Sequence, residues 1–170
     1  RIFAKVGGTS VASPERIKSV AKRLAAMVDG GDQVVAVVSA MGKTTDELMG
    51  LAAAVSSDPP ARELDRLLST GEQVSVSLCA LALARLGVPA VSLCGWQMGL
   101  QTDGSHGSAR VLGLRGDRIE RELRAGRVVL AAGFQGVDAA GDITTLGRGG
   151  PDTTAVALAA FLPADPCRIY

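Results

Sequence analysis

The residues best suited to chemistry lie in short glycine-bearing stretches that each follow an apolar run. Lys5 stands near the end of the run Ile2-Phe3-Ala4-Lys5-Val6, just before Gly7-Gly8-Thr9-Ser10. A lysine there is either a snorkelling strand-edge side chain or a phosphate ligand. Ser39-Ala40-Met41-Gly42-Lys43-Thr44-Thr45 follows the β-branched run Val34 to Val38. Gly133 and, later, Gly147-Arg148-Gly149-Gly150 form a third such place. Glycine lets backbone N–H groups come close to a phosphate, and a helix that starts beyond it adds positive dipole. Arg148 is either a solvated loop residue or a fork that clamps a carboxylate through two parallel hydrogen bonds. Glu72 reads as a helix-start carboxylate favoured by the dipole. Asp152, at another helix start, reads as a cap or as a catalytic carboxylate. His106, the one histidine, reads as a loop residue.

Two familiar phosphate loops fail on spacing. Gly42-Lys43-Thr44 could end a Walker A loop, but the glycine required five positions earlier is Val37. Gly147-x-Gly149 would need a glycine where Asp152 stands to complete a dinucleotide fingerprint. Any phosphate site is therefore of another kind. Composition narrows the partners. Lys and Arg number 18 against 17 Asp and Glu, a net charge of +1, and aromatics are 3% of the chain. That balance gives no footprint for nucleic acid or an anionic membrane, and too few rings to stack bases. Cys79, Cys94 and Cys167 have neither disulfide nor zinc-site spacing, so no protein-bound metal is expected. No signal peptide is expected, and the longest apolar stretch, 74–84, reads as too short and too polar to cross a bilayer. These features predict a soluble, cytoplasmic protein.

The elements that must hold these loops alternate. The pattern predicts strands over 2–6, 34–38, 88–93, 128–132 and 167–170. It predicts helices over 14–28, 46–55, 61–68, 72–86, 117–125 and 152–162, with Ser69-Thr70-Gly71 breaking the third from the fourth. The stretch 95–107 reads as loop with a short hairpin, and 134–145 as a hairpin turning at Ala140-Gly141-Asp142. With 47% apolar residues and few aromatics, the core is built of Val, Leu, Ile and Ala. Strand, loop and helix in repetition predict an α/β domain with a mainly parallel sheet covered on both faces, and ligands beyond the carboxyl ends of the strands.

Taken together, four blocks resemble the aspartate kinases. Lys5-Val6-Gly7-Gly8-Thr9-Ser10-Val11 is similar to their lysine-led opening motif. Val37-Val38-Ser39-Ala40-Met41 with Thr45-Asp46 resembles their second loop, and Ser69-Thr70-Gly71-Glu72-Gln73-Val74-Ser75 a third block. The fourth is Ile143-Thr144-Thr145-Leu146-Gly147-Arg148-Gly149-Gly150 with Asp152-Thr153-Thr154-Ala155. The blocks occur in family order, and jointly they are specific where each alone is an ordinary turn.

The resemblance implies the amino-acid-kinase (carbamate-kinase-like) fold, a three-layer αβα sandwich. It implies that residues 1–170 are the N-terminal portion of the catalytic domain, with C-terminal ACT regulatory domains absent. It implies transfer of the γ-phosphoryl group of ATP, as its Mg2+ complex, to the side-chain carboxylate of L-aspartate, on the route to lysine, threonine and methionine. It also implies a homodimer or higher homo-oligomer. In that scheme Lys5 neutralises charge on the transferred phosphoryl group, and Asp152 orients the catalytic lysines. Gly7, Gly8 and Ser39 cradle phosphate. Thr45, Glu72 and Arg148 hold aspartate, Glu72 facing its ammonium and Arg148 its α-carboxylate. Such a reaction needs alignment and charge neutralisation rather than a general base, because the acceptor carboxylate is already ionised. Three departures stand out. Pro151 replaces a serine usual in the fourth block, which bears on aspartate binding more than on folding. Val6 replaces a usual aromatic, a matter of packing. A loop that carries nucleotide contacts and a second lysine would follow Tyr170, so an incomplete ATP site is expected. Another small-molecule kinase of the same fold, or a non-catalytic assembly partner, is the alternative.

Overall fold

The computed structural model describes residues 1–147 and 150–162, and the backbone of 167–169. Strand β1 (Ile2–Val6) leads through a 3-10 turn (Gly8–Val11) into helix α1 (Pro14–Asp29). Ser13 caps α1 by accepting a hydrogen bond from the Arg16 N–H, and Pro14 stands where a missing N–H costs nothing. Ile17, Val20, Ala21 and Leu24 form the buried stripe of α1. Then come β2 (Val34–Val38), α2 (Thr44–Val55) and α3 (Ala61–Arg85). After these follow β3 (Ala90–Leu93), the single turn α4 (Gly95–Met98), β4 (Leu100–Thr102), β5 (Val111–Leu114), α5 (Asp117–Arg124) and β6 (Val128–Ala132). The series ends with β7 (Gln135–Val137), β8 (Ile143–Thr145), α6 (Gly150–Phe161) and β9 (Cys167–Ile169).

Five strands form one parallel sheet in the order β3-β6-β2-β1-β9. Side chains alternate across it. Ala4, Val6, Ala36, Val38, Leu130 and Ala132 face the layer built by α1 and α3. Phe3, Val35, Val37, Val129 and Ala131 face Ile119 and Leu123 of α5 and Ala155 and Leu158 of α6. Every residue of β2 and β6 is buried, as a sheet covered on both faces requires. A fully buried Leu or Val contributes about 1.5–3 kcal/mol through apolar area alone. This is the αβα sandwich that the sequence predicts. A second, smaller sheet runs β5-β4-β7-β8, in which β7 and β8 pair as the expected hairpin.

Several expectations need correction. Ser69-Thr70-Gly71 does not break the chain: α3 is one helix of 25 residues. The Ser69 and Thr70 hydroxyls donate to the carbonyls of Arg66 and Leu67 within the helix, so they no longer compete with it. Gly71 is there for contact, since a Cβ on it would sit 3.0 Å from the Ala40 Cβ. The stretch 95–107 holds α4 and β4, and β4 pairs with β5, a strand that no sequence signal marked. The third strand starts at Ala90, and α6 starts at Gly150, which places Pro151 inside its first turn. By length and hydropathy α3 could cross a bilayer, contrary to the expectation that no segment could. Its inner face carries buried Asp65, Ser69, Glu72 and Ser75, the pattern of a core helix with work to do.

Candidate active site

The loops after β1, β2 and β6 leave the same edge of the parallel sheet, and a cavity of about 440 Å3 opens there. Gly8, Ser39, Thr45 and Glu72, all singled out from the sequence, line it. The two N-terminal loops touch closely. Gly42 N–H donates to the Gly8 carbonyl at 3.0 Å, and a Cβ on Gly8 would lie 2.9 Å from the Ala40 carbonyl oxygen. No side chain fits there without moving backbone, so glycine is required. Gly7 stands before the 3-10 turn and accepts from Ser10 N–H at 3.0 Å, beside the cavity rather than in its lining.

Lys5 follows from strand alternation. It shares the face of Phe3, which is the face that α6 covers. Its Nζ lies 3.1 Å from Oδ1 of Asp152, in the first turn of α6. Asp152 is thus neither a plain cap nor distant: it holds the lysine head at the carboxyl end of β1. The pair is partly open, Lys5 18% exposed and Asp152 57%, so it directs the ammonium more than it stabilises the fold.

Glu72 is not a helix-start residue. It lies in the middle of α3, 2% exposed, pressed against the loop after β2. One oxygen accepts the Ala40 N–H at 3.3 Å. The other, Oε2, has no hydrogen-bond partner among the described residues. Burial raises its pKa to about 7, and the Ala40 hydrogen bond offsets only part of that. A buried carboxylate with a vacant oxygen facing a cavity calls for a cation.

Phe134 also lines the cavity and was not anticipated. Its φ of 70° is left-handed, costly for a bulky residue. It is held by donating its N–H to Thr154 Oγ1 and by accepting from Leu146 N–H. Gly150 makes room, since a Cβ there would lie 2.2 Å from the Phe134 ring. Only the bare Gly133-Phe134 step after a strand could have hinted at it. Pro151 contributes its ring to the wall. Arg148 lies outside the described residues. Another cavity, of about 400 Å3, is lined by Arg62, Arg66, Gln73 and Trp96, none of which lines the first. Among the described residues one group could hold a metal ion, His106 with Asp138 and Asp142, and it does not line the cavity at the strand ends.

The lining offers a buried carboxylate and backbone at glycine turns, which suit an ammonium group and a phosphate, whereas the Lys5–Asp152 pair is not part of the lining. Residues 1–170 match the family model described as the amino acid kinase family. The chain is 58% identical over 169 residues to an aspartokinase of Geobacillus stearothermophilus and 56% identical to one of Bacillus sp. (strain MGA3). It is covered to 99% in both cases but spans only about two fifths of their length, 42% and 41%. Among solved structures, the aspartate kinase of Synechocystis superposes with a TM-score of 0.86 at 54% identity, over 99% of this chain and 28% of that one. E. coli aspartokinase III, in complex with aspartate and ADP, gives 0.88 at 24% identity, a likeness of fold.

Proposed function

The chain belongs to the amino acid kinase family, and from that premise we propose that it carries the amino-acid side of an aspartate kinase. In this reading the γ-phosphoryl group of ATP passes to the side-chain carboxylate of L-aspartate, giving an acyl phosphate and ADP. The observation that carries it is Glu72, a buried carboxylate with one oxygen unpartnered among the described residues, in the wall of the cavity that the glycine loops also line. It accepts the substrate ammonium. Arg148 takes the α-carboxylate, and Thr45, at the start of α2 and in the cavity lining, orients the substrate. The acceptor carboxylate, ionised at neutral pH, then attacks phosphorus as the bond to the ADP oxygen breaks.

Lys5 neutralises charge on the group in flight, and Asp152 keeps its ammonium aimed. Gly7, Gly8 and Ser39 supply backbone and hydroxyl donors to phosphate. Mg2+ enters on the nucleotide phosphates, as part of the substrate complex. Identity above 50% to proteins named aspartokinases supports aspartate over other acceptors. The same reading makes residues 1–170 the N-terminal portion of a catalytic domain, in a cytoplasmic, self-associating protein.

The test is aspartyl-hydroxamate formation from ATP, aspartate and hydroxylamine by the natural full-length polypeptide. Signal that requires both substrates and disappears in Lys5→Ala is expected. Equal signal with glutamate or N-acetylglutamate in place of aspartate would overturn the substrate assignment.

A further inference from the structure

A second buried carboxylate sits two helical turns before Glu72 on the same face of α3. Asp65 is 1% exposed and saturated with donors. His106 Nδ1 lies 2.7 Å from Oδ2, and Gly107 N–H reaches both oxygens at 3.0 and 3.1 Å. Thr145 gives its N–H at 3.0 Å to Oδ2 and its hydroxyl at 2.6 Å to Oδ1. One side chain thus pins two segments that are distant in sequence. Both border the cavity: Gly107 lies in its lining, and Thr145 is followed by lining residues Leu146 and Gly147, then by Arg148. The Thr145 carbonyl also accepts Ala109 N–H at 3.0 Å, which ties the two pinned segments to each other.

We propose that Asp65 and His106 form a clasp that positions the aspartate-binding rim, and so sets affinity for the amino acid rather than for the nucleotide. The clasp acts through Gly107 and the Thr145–Gly147 wall and touches no substrate, so these are positioning residues. The inference rests on the aspartate kinase reading above. His106 is the better handle because it lies on the loop, 17% exposed at its side chain, so changing it opens no core cavity. Both Asp65 oxygens already accept from Gly107 and Thr145, so the clasp takes Nδ1 as the donor. An asparagine at this position carries an amide N–H at the place of Nδ1, whereas leucine fills similar space with no donor.

The experiment uses the natural full-length protein and compares wild type with His106→Leu and His106→Asn, with steady-state kinetics for both substrates and thermal unfolding. For His106→Leu, KM for aspartate is expected to rise about tenfold, the effect of losing one hydrogen bond to a charged acceptor. Its kcat and its KM for ATP are expected to stay within about twofold, and His106→Asn to recover most of the aspartate KM. Unchanged aspartate KM in His106→Leu overturns the clasp alone. So does a parallel rise of both KM values with a lowered Tm, which marks a merely structural contact. A wild-type protein with no saturable aspartate dependence overturns both this inference and the function on which it rests.

Discussion

Asp65 and Glu72 are two carboxylates on one face of one helix, about 10.5 Å apart along its axis, both removed from solvent. Their surroundings are opposite. Asp65 accepts from His106, Gly107 and Thr145, and both of its oxygens are engaged. Glu72 accepts one N–H, and its second oxygen has no partner among the described residues. A carboxylate whose hydrogen bonds are complete belongs to the architecture. One buried with half its capacity unmet is held ready for something that arrives. The contrast separates a structural anion from a ligand-seeking one with no reference to any relative.

The strongest way to break the contrast is Glu72→Gln. KM for aspartate should rise at least about 100-fold, the usual scale for removing one partner of a buried charge pair. The same variant should be more stable than wild type at pH 8 without substrate. The sign follows from the raised pKa. Between its ordinary 4.5 and about 7, folded Glu72 holds a proton that the unfolded chain has released. Its contribution to stability is therefore present below 4.5 and is lost as pH climbs through 7, where the cost of burying the charge is fully felt. Thermal melts at pH 5.5 and 8 should show the variant's advantage over wild type growing toward the higher pH.

Asp65→Ala should do the reverse, costing about 3 kcal/mol in urea unfolding, because it orphans several buried donors at once. A loss below about 1 kcal/mol would mean that water replaces the carboxylate and that the two sites differ less than their geometry implies. A milder probe is pH itself. Aspartate binding, followed by calorimetry without nucleotide, should weaken about tenfold from pH 8 to pH 6 as Glu72 takes up its proton, and Glu72→Gln should flatten that profile. The smallest effect is expected from Pro151→Ser. A hydroxyl returned to the wall should lower KM for aspartate about three- to fivefold, the worth of one added hydrogen bond, with no change in Tm beyond about 2 °C. A raised KM would mean that the proline ring itself shapes the pocket.

The alternating sheet was legible from sequence because β2 and β6 are continuous apolar runs that only a doubly covered strand can use. The loops after β1 and β2 were legible because close approach demands glycine, as at Gly8. What stayed hidden came from contacts between segments far apart in sequence. Ser69, Thr70 and Gly71 look like a helix break, and only the packing of Ala40 against Gly71 shows why small residues stand there. With the break assumed, Glu72 fell at a helix start, and its burial and raised pKa could not be foreseen. His106 looked idle because its partner, Asp65, lies 41 residues away. Phe134 gave no warning because its left-handed backbone is fixed by Thr154, 20 residues downstream.

The continuity of α3 restricts how this gene can vary. Each residue added to a helix turns everything beyond it by about 100°. A single insertion or deletion between Asp65 and Glu72 would leave one carboxylate in place and swing the other out of its site. Even a seven-residue insertion, which nearly restores the angle, would carry Glu72 about 10.5 Å along the axis and away from Ala40. Length changes should therefore be tolerated at the exposed turn around Ala140 and Gly141 and purged from the six positions 66–71. A deep insertion scan scored by growth on medium lacking lysine, threonine and methionine would display that boundary as a sharp silent window within α3.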